Sequence, residues 1–353
     1  MKNYKILINK ETYEKAVGYV ENLKTGIATG RYLQKKLKNK DLFQMSSVEF
    51  FEMLIGTKVP QIFAESSVWG DGTDWNQDEL SILGDINIAV PVTVFDDGRH
   101  YEPEVHRIPF KATLVFTPGA LLRNDRHNIP ADWEKVTENG EINPEKYYRL
   151  YERRLLPAFI YADRVAKNKG RMAFITIPGL GCGQFAGRFR GRLGLELKNT
   201  LKFFLENHST DFPNIRAVYY DPYLECQNER YEIDGTSFIV RPLTKGIENK
   251  SQLCRPEDYE EHNNEFDKCE LFSFVAWDHV SWPGNDFYTG SRSTDDGVKA
   301  AATDAMYVLT DIEGKYDISS NCYNPPLEYK NWQEVVFKNG IQIEVKDNFN
   351  VYP

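Results

Sequence analysis

The sequence predicts a three-layer α/β/α fold around a mixed sheet, with a helical extension before it and a hairpin after it. Apolar, β-branched runs of strand length alternate with longer segments of helical periodicity, which is typical of layered α/β domains. Most of these strand-like runs lie in the region from about 59 to 316. We therefore divide the chain into an N-terminal helical extension (1–58), an α/β domain (59–316) and a C-terminal extension packed on it (317–353).

Composition excludes several classes of protein. The chain has 353 residues and a formal net charge of −9, which opposes sequence-independent binding of nucleic acid. No apolar run approaches the roughly 20 residues that span a bilayer. Its five cysteines are odd in number and scattered, so neither a disulfide framework nor a metal site is expected. We expect a cytosolic protein without a nucleic-acid partner, a membrane span or a bound metal.

The segment before the α/β domain reads as helical up to about residue 55. Apolar residues recur there at helical spacing, and Ser46 followed by Glu49 is typical of a helix start. Within the domain the predicted strands are 61–65, 86–95, 110–117, 171–178, 214–221, 237–242 and 269–277. The predicted helices are 144–168, 193–207 and 295–309. In the tail, Asn339-Gly340 between two strand-like pieces indicates a hairpin.

A glycine-rich turn follows the buried strand at 171–178. Such a turn presents bare backbone N–H groups to an anion, most often a phosphate. A tight turn without a ligand and thiol chemistry at Cys182 are the alternatives. The stretch from Gly181 to Ala186 also fits a dinucleotide fingerprint, but the acid expected about 20 residues later is missing. The glycines and the arginines that suit an anion are Gly179, Gly181, Gly183, Gly187, Arg188, Arg190 and Arg192.

Four aspartates follow the strand at 269–277. Ligands of α/β sheets bind outside the carboxyl ends of strands, so this carboxylate loop and the glycine turn are expected to face one pocket. Asx turns and a helix cap are the structural alternatives for these carboxylates. His279 is either an acid/base partner or a structural histidine. The aspartates are Asp278, Asp286, Asp295 and Asp296.

Two further features allow both a structural and a functional interpretation. The aromatic residues of the carboxylate loop could stack on a base or pack in the core. These residues are Trp277, Trp282, Phe287 and Tyr288. A third loop, at 66–75, is either a plain turn or a source of hydroxyl-binding carboxylates such as Asp71.

The stretch from Pro178 to Phe185 resembles the second ADP-ribose loop of macrodomains, and 277–297 resembles divergent macrodomain effectors that bacteria deliver into host cells. This resemblance implies a macrodomain-like fold over 59–316. It assigns catalysis to Asp278, Asp286 and Asp296. It assigns ligand binding to Gly179, Leu180, Gly181, Cys182, Gly183, Gln184 and Phe185, to which Asp295 and Asp71 are added as candidates.

The same resemblance implies an ADP-ribosylhydrolase that acts in the host cytoplasm. Its substrate would be ADP-ribosylated ubiquitin or another modified protein, with an arginine linkage, and a host ubiquitin-conjugating enzyme is a possible partner. No cofactor is required, since ADP-ribose is the ligand or product. The alternatives are a non-catalytic ADP-ribose reader and a dinucleotide-dependent oxidoreductase.

Overall fold

The computed structural model describes residues 2–60, 73–123, 129–246, 248–262 and 265–353. The strands are β1 (Lys5–Asn9), β2 (Asn87–Asp96), β3 (Val105–Pro118), β4 (Thr137–Glu138), β5 (Glu141–Ile142), β6 (Met172–Pro178), β7 (Ile215–Asp221), β8 (Glu229–Ile233), β9 (Thr236–Val240), β10 (Cys269–Trp277), β11 (Lys315–Asp317), β12 (Cys322–Asn324) and β13 (Phe349–Tyr352). Nine of these described strands form one sheet in the order β13-β1-β2-β3-β10-β6-β7-β9-β8.

Helices cover both faces of this sheet, so the predicted three-layer α/β/α class is confirmed. The helices are α1 (Lys10–Lys24), α2 (Arg31–Leu37), α3 (Ser47–Ile55), α4 (Gln77–Leu83), α5 (Trp133–Val136), α6 (Pro144–Asn168), α7 (Leu193–His208), α8 (Asp295–Ala301), α9 (Ala305–Thr310) and α10 (Trp332–Asn339).

Alternate residues of the central strands supply two separate apolar cores. Phe174 of β6 packs into the core formed with α1, α3 and α8 to α10. Its neighbour Ile175 packs into the opposite core, formed mainly with α6 and α7. This alternation follows from the period-2 geometry of a strand. Burial on both faces explains why the central strands read as continuous apolar runs.

Parallel pairing brings the ends of the central strands to one edge of the sheet. The neighbours β3, β10, β6, β7 and β9 run parallel to one another. Pro118, Pro178, Asp221 and Trp277 therefore end their strands on the same side. Loops that leave a common edge can enclose a ligand.

Strands near both chain termini join this sheet. β1 pairs antiparallel with β2, and β13 pairs parallel with β1. The sequence analysis missed β1, which is only five residues long and runs directly into α1. Both terminal segments thus contribute strands as well as helices, while the proposed division at 58 and 316 stays a prediction.

The predicted C-terminal hairpin around Asn339-Gly340 is wrong. Residues Trp332–Asn339 form helix α10, which Asn331 caps by accepting a 2.9 Å hydrogen bond from Glu334 N. Gly340 ends the helix in the left-handed region, with φ of +59°. The same Asn-Gly pair favours a hairpin turn and a helix C-terminus, because both need positive φ. The hairpin in this part of the chain is β11–β12 instead.

Candidate functional site

A cavity of about 600 Å³ opens at the common edge of the sheet. That volume lies in the range of roughly 300–1,000 Å³ typical of small-molecule sites. The glycine turn after β6, the end of β7, the end of β10 and the start of α8 all contribute to its wall. The expectation that the glycine turn and the carboxylate loop face one pocket is thus met by the geometry.

Close backbone packing fixes the shape of the glycine turn. Gly181 has φ of +73°, and a Cβ there would lie 2.7 Å from the backbone N of Ala120. A Cβ on Gly119, which directly follows β3, would overlap the backbone of Gly181. Gly119 N also donates to Trp277 O at 3.2 Å. Glycine is required at both positions, because no other residue lets the ends of β3, β6 and β10 approach so closely.

The outer part of the turn offers donors to an anion. Among the residues that the structure describes, the backbone N–H groups of Gly183, Gln184 and Phe185 have no acceptor. Gly183 faces open space, since a Cβ there meets nothing within 4 Å. All three residues line the cavity. Adjacent unpaired N–H groups of this kind form an anion-binding concavity.

One arginine of the predicted anion site also lines the cavity. Arg190 is exposed in the wall and, in the described part of the chain, makes no ion pair. Arg188 and Arg192 are instead paired with Glu141 at 3.3 Å each and are not part of the wall. The cation available to a bound anion is therefore Arg190.

Two residues of the predicted turn do not behave as expected from the sequence. Leu180 is fully buried and is not part of the cavity wall; its N–H donates to Pro178 O and its carbonyl accepts from the Tyr151 hydroxyl. The geometry does not favour its predicted contact with the ligand, which stays a prediction. Cys182 lines the cavity, but burial raises the pKa of its thiol. This opposes the thiolate that the thiol-chemistry alternative needs. Gly179 is in the wall.

Asp278 occupies the cavity wall directly after β10. Its Oδ1 accepts hydrogen bonds from Val280 N at 2.7 Å and Ser281 N at 2.6 Å, and its Oδ2 accepts from the Ser281 hydroxyl. These bonds form the Asx turn that was the structural alternative for this residue. The turn holds the carboxylate in a fixed position in the wall, so the two interpretations are compatible.

Asp296 is the least satisfied carboxyl group of the loop. It lies in the cavity wall and is 2% exposed. Its Oδ1 accepts from Thr294 Oγ1 at 2.8 Å and Gly297 N at 3.1 Å, whereas its Oδ2 has no partner among the described residues. Burial, and then the charge of Asp278, raise its pKa well above the usual value. A buried, unpaired carboxyl with a raised pKa is typical of a general acid or base.

Asp286, the third predicted catalytic residue, lies behind the wall rather than in it. Its Oδ2 accepts from Ser293 N at 2.7 Å and Thr294 N at 3.3 Å. Its Oδ1 and Oδ1 of Asp296 share the single proton of the Thr294 hydroxyl, which is within hydrogen-bonding distance of both. A Cβ on Gly297 would overlap this carboxylate. The geometry favours a positioning role, in which Asp286 holds the segment that carries Asp296.

Asp295, which is partly exposed, forms an ion pair beside this segment with a buried lysine that the sequence analysis missed. Asp295 lines the cavity, and its Oδ2 accepts from Ala276 N at 2.7 Å and Lys299 Nζ at 3.1 Å. Lys299 is 1% exposed and also lines the cavity, and burial lowers its pKa. The i, i+4 spacing of the two residues on a predicted helix was the signal that could have identified the pair.

Asp221 is a further wall residue that the sequence analysis did not assign to the site. It ends β7, next to the glycine turn, and burial raises its pKa to about 6. Its position at a strand end was the available signal. About 20 residues after Gly181, where a dinucleotide site needs its acid, the chain is instead inside α7. This counts against the oxidoreductase alternative.

The aromatic residues of the carboxylate loop divide between wall and core. Trp277 lines the cavity, and Lys58 Nζ lies 4.0 Å from its ring centroid. Burial lowers the pKa of Lys58 to about 7. The other three, Trp282, Phe287 and Tyr288, are buried in the core, so stacking on a ligand is not available to them.

A buried ionic network supports the carboxylate loop from behind. His279 is fully buried, and its Nε2 contacts Asp132 Oδ2 at 3.1 Å. Asp132 accepts two hydrogen bonds from Arg154, whose Nε donates to Asp85 at 3.0 Å. Burial lowers the pKa of His279. The structural interpretation of this histidine is therefore favoured over an acid/base role.

Some predicted features fall outside the described residues. These are Asp71, the strand at 61–65 and most of the third loop, of which only Thr73 to Trp75 can be placed. Trp75 is buried and donates from Nε1 to Thr57 Oγ1 at 2.8 Å. Within the described ranges, no three His, Cys, Asp or Glu side chains are grouped as a metal site, and no helix is long and apolar enough to cross a bilayer.

Comparison with known proteins identifies the family. A family model described as the macrodomain effector MavL matches residues 4–329. No curated protein matches the chain. Because the family model spans most of the chain, the protein belongs to the MavL macrodomain effector family.

Proposed function

We propose that this member of the MavL macrodomain effector family binds ADP-ribose and hydrolyses its bond to a modified protein. The observation that carries the proposal is Oδ2 of Asp296, which is buried and has no partner among the described residues, in a cavity whose glycine turn offers N–H groups without an acceptor in the described part of the chain. A diphosphate needs such donors, and hydrolysis of a glycosidic bond needs a carboxyl group that acts as acid or base. One cavity combines both requirements.

The diphosphate would lie against the glycine turn. The N–H groups of Gly183, Gln184 and Phe185 would donate to its oxygens, and Arg190 would neutralise part of its charge. The aspartates would repel a phosphate, so they suit the ribose hydroxyls instead. Asp221, in the same wall, is available to the other polar groups of the nucleotide, whereas Lys299 Nζ already donates to Gln252, Phe274 and Asp295.

The carboxyl groups of Asp278 and Asp296 are suited to act as the base and the acid of one hydrolytic step. A water molecule on the Asp278 carboxylate would attack the anomeric carbon of the distal ribose, while the bond from that carbon to the protein nitrogen breaks. Asp296, neutral because of its raised pKa, would give its proton to the departing nitrogen, and Asp278 would accept the proton of the water. Such acid/base catalysis contributes about 10²–10⁴-fold in rate.

The proposed substrate is ADP-ribosylated ubiquitin with an arginine linkage, acted on in a host cytoplasm. Membership in an effector family supports delivery into a host, and the resemblance of the carboxylate loop to such effectors supports this substrate. Proton donation to the departing nitrogen lets the arginine leave as a guanidinium, a better leaving group than a neutral guanidine, which suits the acid role assigned to Asp296. A host ubiquitin-conjugating enzyme is the proposed additional partner.

Release of ADP-ribose from an arginine-ADP-ribosylated protein tests this proposal. We expect Asp296→Asn to lower kcat by about 10²–10⁴-fold while calorimetry shows that ADP-ribose still binds. The matched control is Asp347→Asn, since Asp347 is exposed and outside the cavity wall. Turnover by Asp296→Asn at the wild-type rate would refute the assignment.

A non-catalytic reader is the second candidate, and one observation favours it. Both oxygens of Asp278 already accept hydrogen bonds from its own loop, which is sufficient to explain this residue without catalysis. A reader would bind ADP-ribose and leave the modified protein intact at every enzyme concentration. Binding together with turnover excludes it.

A further inference from the structure

A second pocket, of about 280 Å³, lies apart from the cavity. It is formed by residues of α1, α4, α5 and α6 and shares no residue with the cavity wall. Its lining is strongly basic although the chain carries a net charge of −9. The cationic side chains in the lining are Lys15, Lys135, Lys146, Arg149 and Arg153, against two carboxylates, Glu11 and Asp85.

Two of these lysines converge on one hydroxyl group. Lys15 Nζ and Lys135 Nζ both donate to Ser81 Oγ, and Ser81 is 3% exposed. Burial lowers the pKa of Lys15, and the charge of Lys135 lowers it further. Two ammonium groups bound to one oxygen repel each other, so this arrangement costs stability unless a negative charge accompanies it.

The nearest carboxylates form only long ion pairs with the two lysines. Lys15 and Lys135 approach Asp78 and Asp132 only to 3.8 Å. Asp85, in the pocket wall, is engaged by other groups, since it accepts from Arg153 Nε at 2.7 Å and Arg154 Nε at 3.0 Å. The two ammonium groups therefore keep donors for a ligand, because each carries three N–H bonds.

We propose that this pocket binds a phosphate group, either inorganic phosphate or the phosphoryl end of a small monoester. A tetrahedral oxyanion can accept from both ammonium groups and from the Ser81 hydroxyl at once, and it neutralises the cationic excess. The pocket is less than half as large as the cavity, which suits a phosphoryl group better than a whole dinucleotide. This site is independent of the proposed hydrolysis.

Calorimetry and thermal unfolding with inorganic phosphate test the proposal, with chloride at equal ionic strength as the reference. We expect phosphate to bind and raise the Tm of the wild type. The double variant Lys15→Gln/Lys135→Gln should bind phosphate at least about tenfold more weakly. Its Tm without phosphate should equal or exceed the wild-type value, because the repulsion is removed. Glycerol phosphate should bind like inorganic phosphate, since the phosphoryl group is the part recognised.

Two controls distinguish this site from the glycine turn and from general charge effects. Lys167→Gln/Lys346→Gln removes two exposed lysines outside both pockets and should respond to phosphate as the wild type does. Arg190→Gln alters the cavity and should also keep the response. If the double variant is too unstable to assay, Lys135→Gln alone should weaken binding in the same direction.

Three results would overturn the proposal. The first is a wild type that responds to phosphate no more than to chloride. The second is a Lys15→Gln/Lys135→Gln variant, or a Lys135→Gln variant, with wild-type affinity for phosphate. The third is a response that is lost in Arg190→Gln but kept in the lysine variants, which would place the phosphate at the glycine turn.

Discussion

Asp221→Asn should change how the stability of the protein depends on pH. Burial raises the pKa of Asp221 from 3.8 to about 6 in the folded chain. Its Oδ1 accepts from Tyr223 N at 2.8 Å and Leu243 N at 2.9 Å. The carbonyl oxygen of an asparagine can keep both of these hydrogen bonds, so the substitution removes mainly the ionisable group.

The sign and size of the effect follow from proton linkage. Below pH 4 the carboxyl group is protonated in both the folded and unfolded states, and Asp221 contributes no pH dependence. Between about pH 4 and 6 the unfolded chain loses this proton while the folded chain keeps it, so folding becomes less favourable as pH rises. A difference of about two pKa units corresponds to about 3 kcal/mol. Above about pH 7 the carboxyl group is ionised in both states and the change is complete.

Urea unfolding followed by tryptophan fluorescence, from pH 4 to pH 8, measures this effect. The free energy of unfolding of Asp221→Asn relative to the wild type should rise by about 3 kcal/mol between pH 4 and pH 7. The other titrating groups cancel in this comparison. For the exposed control Asp347→Asn, the free energy of unfolding should differ from the wild-type value by the same amount at every pH. If the difference in the free energy of unfolding between Asp221→Asn and the wild type is also independent of pH, Asp221 is not a buried carboxyl group with a raised pKa.

Three further substitutions test the glycine turn and the carboxylate loop. Gly181→Ala should lower the free energy of unfolding by about 1–3 kcal/mol, because Gly181 has positive φ and a Cβ there would lie 2.7 Å from Ala120 N. Gly183→Ala should not lower it, because the space around Gly183 is open. Equal urea midpoints for the two variants would contradict this. Asp286→Asn should weaken turnover and stability together, because it supports the loop; an intact Tm with lost turnover would indicate direct catalysis. Wild-type turnover should fall as pH rises through the raised pKa of Asp296, and a pH–rate profile without this fall would exclude a neutral acid.

Much of the sheet could be predicted because its central strands are buried on both faces. The strand at 171–178 and the strand at 269–277 read as continuous apolar runs, and β6 and β10 match them closely. Short edge elements carry a weaker pattern. β8 was missed for this reason, since it is five residues long, partly exposed and rich in charged residues. Its pairing with β9 depends on tertiary contacts that a local pattern does not contain.

The candidate site was predicted in outline but not in its internal roles. Because ligands of α/β sheets bind outside the carboxyl ends of strands, the sequence alone predicts that the glycine turn and Asp278 face one cavity. The same local signals could not distinguish Asp286 from Asp296, because both are acidic residues of one loop. Only the fold shows that Asp286 is behind the wall and that one oxygen of Asp296 has no partner within the described ranges. Lys299 and Asp221 were missed although each had a local signal, the i, i+4 spacing from Asp295 for Lys299 and the strand end for Asp221.

A crystal structure of the protein with ADP-ribose tests the central claim most directly. The account predicts that diphosphate oxygens lie within hydrogen-bonding distance of the N–H groups of Gly183, Gln184 or Phe185. It also predicts that the anomeric carbon of the distal ribose faces Asp278 and Asp296. A distal ribose placed against Asp221, with no ligand atom near Oδ2 of Asp296, would contradict it.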